Sequence, residues 1–228
     1  MRWVLPGLTF LATCAAVSMS AAMSPDGLAI ERDGWRLLGV PGVKESSIRW
    51  RDDDTMDVIS DGSVGFYYRE VMPDAQSLTW RWRVIDAGVQ TDLRTPGKDD
   101  RPVALHLWFP KDEESDSLFG WTASLFGYPR VGRAITYVWG GAEPRGTAFV
   151  NPHLSDSQGV IVVLRTTAAS NDGWVEETVN FGADYERYFG SPSPKPSHIA
   201  ISGDSDDLGG LRSARISNLR FIETALEK

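Results

Sequence analysis

The densest chemistry in the chain is Asp204-Ser205-Asp206-Asp207-Leu208-Gly209, where three carboxylates fall within four residues of a glycine-flanked turn. Asp204, Asp206 and Asp207 can wrap a hard cation in oxygen ligands, and calcium is the ion such a set suits. The run lacks the distal Glu of an EF-hand loop, so the competing reading is a solvated acidic turn between two strands. Asn180 or Asp184 would extend the ligand set if their loops meet this turn. A second group, Lys98-Asp99-Asp100-Arg101-Pro102, leads into a strand carrying His106 and Trp108. Asp100 and Arg101 can grip a polar ligand, or close the loop by a local ion pair, which at a surface is worth little.

That strand splits by alternation into Val103, Leu105, Leu107 and Phe109 on one side and Ala104, His106 and Trp108 on the other. The first set is the core face. The second is a candidate binding face, placed beside Arg81 and Arg83 if the two strands are neighbours. Trp, His and Arg on one sheet face suit a sugar, with a ring against apolar C–H groups and charged forks on hydroxyls. The alternative is that a helix or loop covers this face and Trp108 is merely packed. Most of the nine Trp are expected in the core, Trp80 and Trp82 among them.

The third group is Glu176, Glu177 and Asp184. Two carboxylates about 5–9 Å apart suit glycoside hydrolysis. Glu176 and Glu177 are adjacent on a strand and point to opposite faces, so the pair would have to be Glu177 with Asp184 or Asp204. The competing reading is a solvated Glu and a helix-capping Asp. No P-loop, dinucleotide glycine fingerprint, His-Glu-x-x-His or Gly-x-Ser-x-Gly elbow occurs. His106, His153 and His198 are far apart in sequence, each expected to make a local hydrogen bond.

The elements that must position these groups are short β-type runs broken by Gly, Pro, Asn and Asp. Strands are expected at 47–51, 55–60, 64–72, 77–85, 101–110, 134–139, 159–166, 174–181, 198–202 and 214–222. The Ser217-Asn218 step breaks the alternation of the last run and predicts a bulge. Helix is scarce: 183–189, closed by Gly190, is the best candidate, and 116–126 is weaker because Gly120 interrupts it. This pattern predicts an all-β fold, an antiparallel β-sandwich of jelly-roll type with one short helix.

Residues 1–22 read as a secretory signal, with Arg2 before an apolar stretch and Ser20-Ala21-Ala22 as the cleavage exit. Residues 23–228 then form a single β-sandwich domain in the periplasm or outside the cell. Two alternatives keep the N-terminus on the membrane: an uncleaved anchor, or lipidation at Cys14 within Leu11-Ala12-Thr13-Cys14. Cys14 is the only cysteine, so cleavage would leave no thiol nucleophile and no Cys metal site. The net charge of −8 disfavours non-specific nucleic-acid binding and charge-driven docking on anionic lipid.

Several segments together resemble a bacterial family of exported proteins, domain of unknown function family 3047. They are Leu78-Thr79-Trp80-Arg81-Trp82-Arg83-Val84; Asp99 to Leu105 with Trp108-Phe109-Pro110; and Thr136-Tyr137-Val138-Trp139-Gly140. The last combines Trp174-Val175-Glu176-Glu177, Asp184-Tyr185, Phe189-Gly190 and Gly203-Asp204-Ser205-Asp206, with Val179 where the family often has Arg. The likeness runs from about Arg49 to Phe221. It implies kinship without an assigned activity, and the closing strands resemble those of carbohydrate-binding jelly rolls, a fold-level analogy. The expected role is non-catalytic binding of a carbohydrate-like ligand or an envelope protein. The alternatives are a carboxylate-based glycan hydrolase or lyase on the same fold, and a scaffold with no small ligand.

Overall fold

The computed structural model describes residues 27–111, 129, 131–155, 157–169 and 173–223. The leader expected at 1–22, Cys14 and the helix expected at 116–126 lie outside the described residues. Among the described residues thirteen strands and one helix follow in chain order: β1 (Gly27–Ala29), β2 (Arg36–Leu38), β3 (Ser47–Trp50), β4 (Thr55–Asp61), β5 (Val64–Glu70), β6 (Ala75–Asp86) and β7 (Arg101–Pro110). Then come β8 (Val131–Trp139), β9 (Ala148–Val150), β10 (Gly159–Arg165), β11 (Val175–Val179), α1 (Phe181–Phe189), β12 (His198–Asp204) and β13 (Leu211–Glu223).

They form two layers. One sheet runs β11-β6-β13-β4-β3, with β1 also pairing with β13; the other runs β2-β5-β12-β7-β8-β10-β9. This is the β-sandwich of jelly-roll type that the alternation predicts. Strand pairing is antiparallel except between β8 and β10, which run parallel. The reason is β9, which takes the chain to the sheet edge and returns it, so that β10 enters beside β8 in the same direction.

Alternation decides what lies between the layers. Leu78, Trp80, Trp82 and Val84 of β6 face Val103, Leu105, Leu107 and Phe109 of β7, together with Ile135, Tyr137 and Trp139 of β8, in one continuous core. Trp80 meets Trp82 edge-on at 5.2 Å, and Trp82 meets Trp139 at 5.7 Å. Edge-to-face rings bury large area while keeping the favourable quadrupole geometry. The chain's Trp content is therefore largely core: every described Trp is buried or half-buried.

The bulge expected near Ser217-Asn218 is present. The β13–β6 register shifts between Ser217 and Arg220, and Asn218 takes a left-handed φ of 54°. The outer face of the seven-stranded sheet is largely covered too. Leu38, Tyr68, Trp108, Val131, Ala134 and Ala200 pack at one end, and Leu93, Ala104, Val138, Ile161 and Val163 at the other. Cross-strand register places His106 and Thr136 opposite each other between these two clusters.

Candidate functional site

A pocket of about 370 Å³ opens on this outer face. Its floor is β-sheet: Phe66 from β5, His106 and Trp108 from β7, and Ala134 and Thr136 from β8. One wall is the acidic turn after β12 with Asp99 and Arg101, and another is the loop carrying Asn151, His153 and Leu154. That loop follows β9 and reaches back over the sheet, so His153 Nε2 lies 2.9 Å from Asp99 Oδ2, across 54 residues.

Most of the ionised groups are buried rather than lying on a solvated loop. Asp99, Asp100 and Arg101 are all buried, which replaces the surface ion pair expected from their spacing. Arg101 Nη1 lies 3.5 Å from Asp99 Oδ2 and 3.2 Å from Asp204 Oδ2, bridging the two carboxylates. Asp100 makes a different set of contacts. Its Oδ1 accepts from the backbone N–H of Asp207 and its Oδ2 from that of Leu208, and Arg212 Nη1 pairs with Oδ2 at 3.1 Å. Asp100 thus cradles the acidic turn, which is only partly solvated: Asp204 and Ser205 are buried, while Asp206 and Asp207 are exposed.

The turn is fixed from below as well. Ser205 N–H donates to the Ser63 carbonyl, and Ser46 Oγ donates to Ser60 Oγ and to the Gly203 carbonyl. Gly203 must be glycine, because a Cβ there would stand 2.6 Å from Ser60 Oγ and 2.7 Å from Val58 Cγ1. β12 thereby lies close enough to β4 for the serine network to reach the turn.

Burial sets the proton affinities. Asp204 is pushed up to about 8, first by burial and then by its hydrogen bond with the Asp206 carboxyl and the negative charge of Asp206 and Asp100, against the pull of Arg101. Burial also raises Asp99, but the His153 hydrogen bond and the Arg101 charge outweigh it and leave its carboxyl below the ordinary value. The same hydrogen bond raises His153, against the effect of burial. His106 is held well below the ordinary imidazole value by burial and then by Arg101. It sits between Thr136 Oγ1 at 3.0 Å and Ser202 Oγ at 2.8 Å.

The sequence-derived candidates divide accordingly. Arg101, His106, Trp108, Asp204, Asp206 and Asp207 line the pocket, and Asp100 supports its acidic wall. Trp108 is packed against Phe66 and Tyr68, so it gives the pocket an edge and no open stacking face. Arg81 and Arg83 are not beside it: β6 belongs to the other sheet, where Arg81 stacks over Trp174 at 5.5 Å.

Glu177 is also elsewhere. It is buried on the core side, where Arg145 holds it at 2.9 Å and Arg165 at 2.7 Å, so its carboxylate is saturated by two guanidinium groups. Asn180 caps α1 by accepting from Ala183 N–H, and Asp184 accepts from the Tyr137 hydroxyl at 2.8 Å. Neither lines the pocket, so they add no ligand to the acidic turn, and the carboxylate pairs of Glu177 with Asp184 or Asp204 are not assembled there. Asp99, His153 and Arg212 gained their importance only from the fold. Of the three histidines only His198 has the expected local bond, to Ser197.

The family described as "Protein of unknown function (DUF3047)" matches residues 33–220. The chain belongs to the DUF3047 family. No curated protein sequence matches it. Among solved structures it is similar to the xyloglucanase domain of NopAA, a type three effector from Sinorhizobium fredii, at 12% identity and a TM-score of 0.44, over 85% of this chain and 95% of that one. It is similar to a family 12 xyloglucanase from Bacillus licheniformis at 11% identity and a TM-score of 0.45, over 86% and 95% of the two chains. A CBM4 structure aligns at 8% identity and a TM-score of 0.30, over 81% and 83%. These are likenesses of chain path, and the sandwich of this DUF3047 member rests on its own strand pairing. Among the described residues no helix is long and apolar enough to cross a membrane.

Proposed function

We propose that this DUF3047 protein is exported to the periplasm or beyond and binds a polyhydroxylated, carbohydrate-like ligand without transforming it. One observation carries this reading: the pocket joins aromatic edges from Phe66 and Trp108 to Asp99, Arg101, His153 and Asp204 in a single concavity. Its volume falls in the ~300–1,000 Å³ range of small-ligand sites. The aromatic edges offer apolar packing to the C–H groups of a sugar ring, while carboxylate, imidazole and guanidinium groups offer acceptors and donors to hydroxyls. His153 is half-exposed, so it can turn toward a bound hydroxyl while Asp99 fixes its far nitrogen.

A glycan array followed by calorimetry on the positive oligosaccharide tests this. His153→Ala should weaken binding by about tenfold, the size of one lost charge-assisted hydrogen bond. Arg81→Ala with Arg83→Ala should leave affinity unchanged, since both lie on the other sheet. Binding that survives His153→Ala but is lost with the arginine pair would overturn the site. New reducing ends in the mixture would overturn the non-catalytic half and favour the glycan hydrolase. An array with no positive, together with capture of an envelope protein through the same pocket, would replace the ligand by that partner.

A further inference from the structure

We propose that Asp100, Asp204 and Asp206 hold a calcium ion at the rim of the pocket. One carboxylate oxygen from each of the three lies within 4.8 Å of the others, a span that a single ion can bridge. Proximity of acids alone would not carry this. The second observation is Asp204 Oδ1, a buried oxygen on a side chain only 10% exposed: among the described residues no N–H or hydroxyl donor reaches it, although Asp204 lines the pocket wall beside the Asp206 carboxyl. An unpaired buried carboxylate oxygen is costly and is normally matched by a donor or a metal. Asp99 Oδ1 on the same wall, with its side chain 3% exposed, is likewise without a partner.

The charges agree. Asp99, Asp100, Asp204, Asp206 and Asp207 converge on this wall, and Arg101 and Arg212 are the guanidinium groups paired into it. Arg101 takes Asp204 Oδ2 and leaves Oδ1 open, and Asp100 Oδ1 accepts one backbone bond, so lone pairs remain on both. Asp206 is exposed and lies against the Asp204 carboxyl, within reach of the same ion. The donors are all oxygens from three carboxylates, a set that suits calcium, whereas magnesium usually takes one or two carboxylates and keeps several waters. The trio also differs from the one the turn's spacing indicates: Asp100, brought in by the fold, takes the place of Asp207.

The ion site stands apart from the glycan reading and is tested with no sugar present. The purified chain, stripped with a chelator, is titrated with calcium chloride by calorimetry and by thermal denaturation. One ion should bind, and at a hundredfold excess over Kd the Tm should rise by roughly 5–10 °C. Asp206→Asn changes an exposed side chain that the fold does not need, and should weaken calcium at least about tenfold. Asp204→Asn should weaken it as much or more, while Glu176→Gln, exposed on the other sheet, should leave it unchanged. The proposal fails if neither heat nor a Tm shift appears up to about 10 mM calcium, above the weakest extracellular calcium sites. It fails equally if Asp206→Asn and Asp204→Asn both bind as tightly as the parent chain.

Discussion

His106 is a titratable group sealed between two hydroxyls, Thr136 and Ser202, with its ring in contact with Phe66. Because its folded value lies well below 6.5, the unfolded chain takes up a proton near that pH that the folded chain refuses. Stability from this group is complete above about pH 6.5 and is lost as pH falls beneath it. Denaturation midpoints measured between pH 7 and 5 should therefore drop more steeply for the parent chain than for His106→Gln. The difference approaches one proton, about 1.4 kcal/mol per pH unit, and parallel curves would contradict the account. Alternation along β7 alone was enough to place His106 and Trp108 away from the core. The same local spacing read Asp99, Asp100 and Arg101 as a surface loop, because Asp99 is held by His153, 54 residues downstream, and Asp100 and Arg101 by Asp204, Asp207 and Arg212, more than a hundred residues downstream. Such pairing has no local signature.

At the scale of elements, strands of four residues or more were legible and the three-residue ones were not. β1, β2 and β9 have three residues each, too few for alternation to register, and all three sit at sheet margins. α1 was legible from its aromatic spacing and from Gly190, which closes it in the left-handed conformation at φ 70°. It begins two residues earlier than its spacing indicates. Asn180 caps it, and Phe181, read from the sequence as the last residue of a strand, is its first residue. Asn180 is thus an architectural residue rather than a ligand donor. Asn180→Ala should cost about 1 kcal/mol and lower the Tm by roughly 2–4 °C. The variant should keep its calcium and glycan affinities, and a selective loss of either would return Asn180 to the site.

For the whole molecule, composition and strand count were sufficient for a two-layer sandwich, since each half-buried strand needs a second sheet to cover it. Which strand joins which sheet was not legible. Arg81 and Arg83 resemble partners for His106 on paper, yet β6 and β7 are consecutive in sequence and lie in opposite layers. The proposed export has its own test: intact-mass analysis of the chain recovered from the envelope fraction of an expressing bacterium should find Met23 first. A mass that retains residues 1–22, or carries a diacylglycerol on Cys14, would replace cleavage by anchoring.

The β9 detour and the distant origins of the two walls have one more consequence. His153 meets Asp99 only after β9 has turned back, and Asp204 meets Arg101 only once β12 has slotted between β5 and β7. The lining runs from Val40 to Asp207, so no short stretch of the polypeptide carries the cavity. On the proposed reading, a chain held unfolded is therefore inert toward sugar and metal alike, and gains both together when these strands dock.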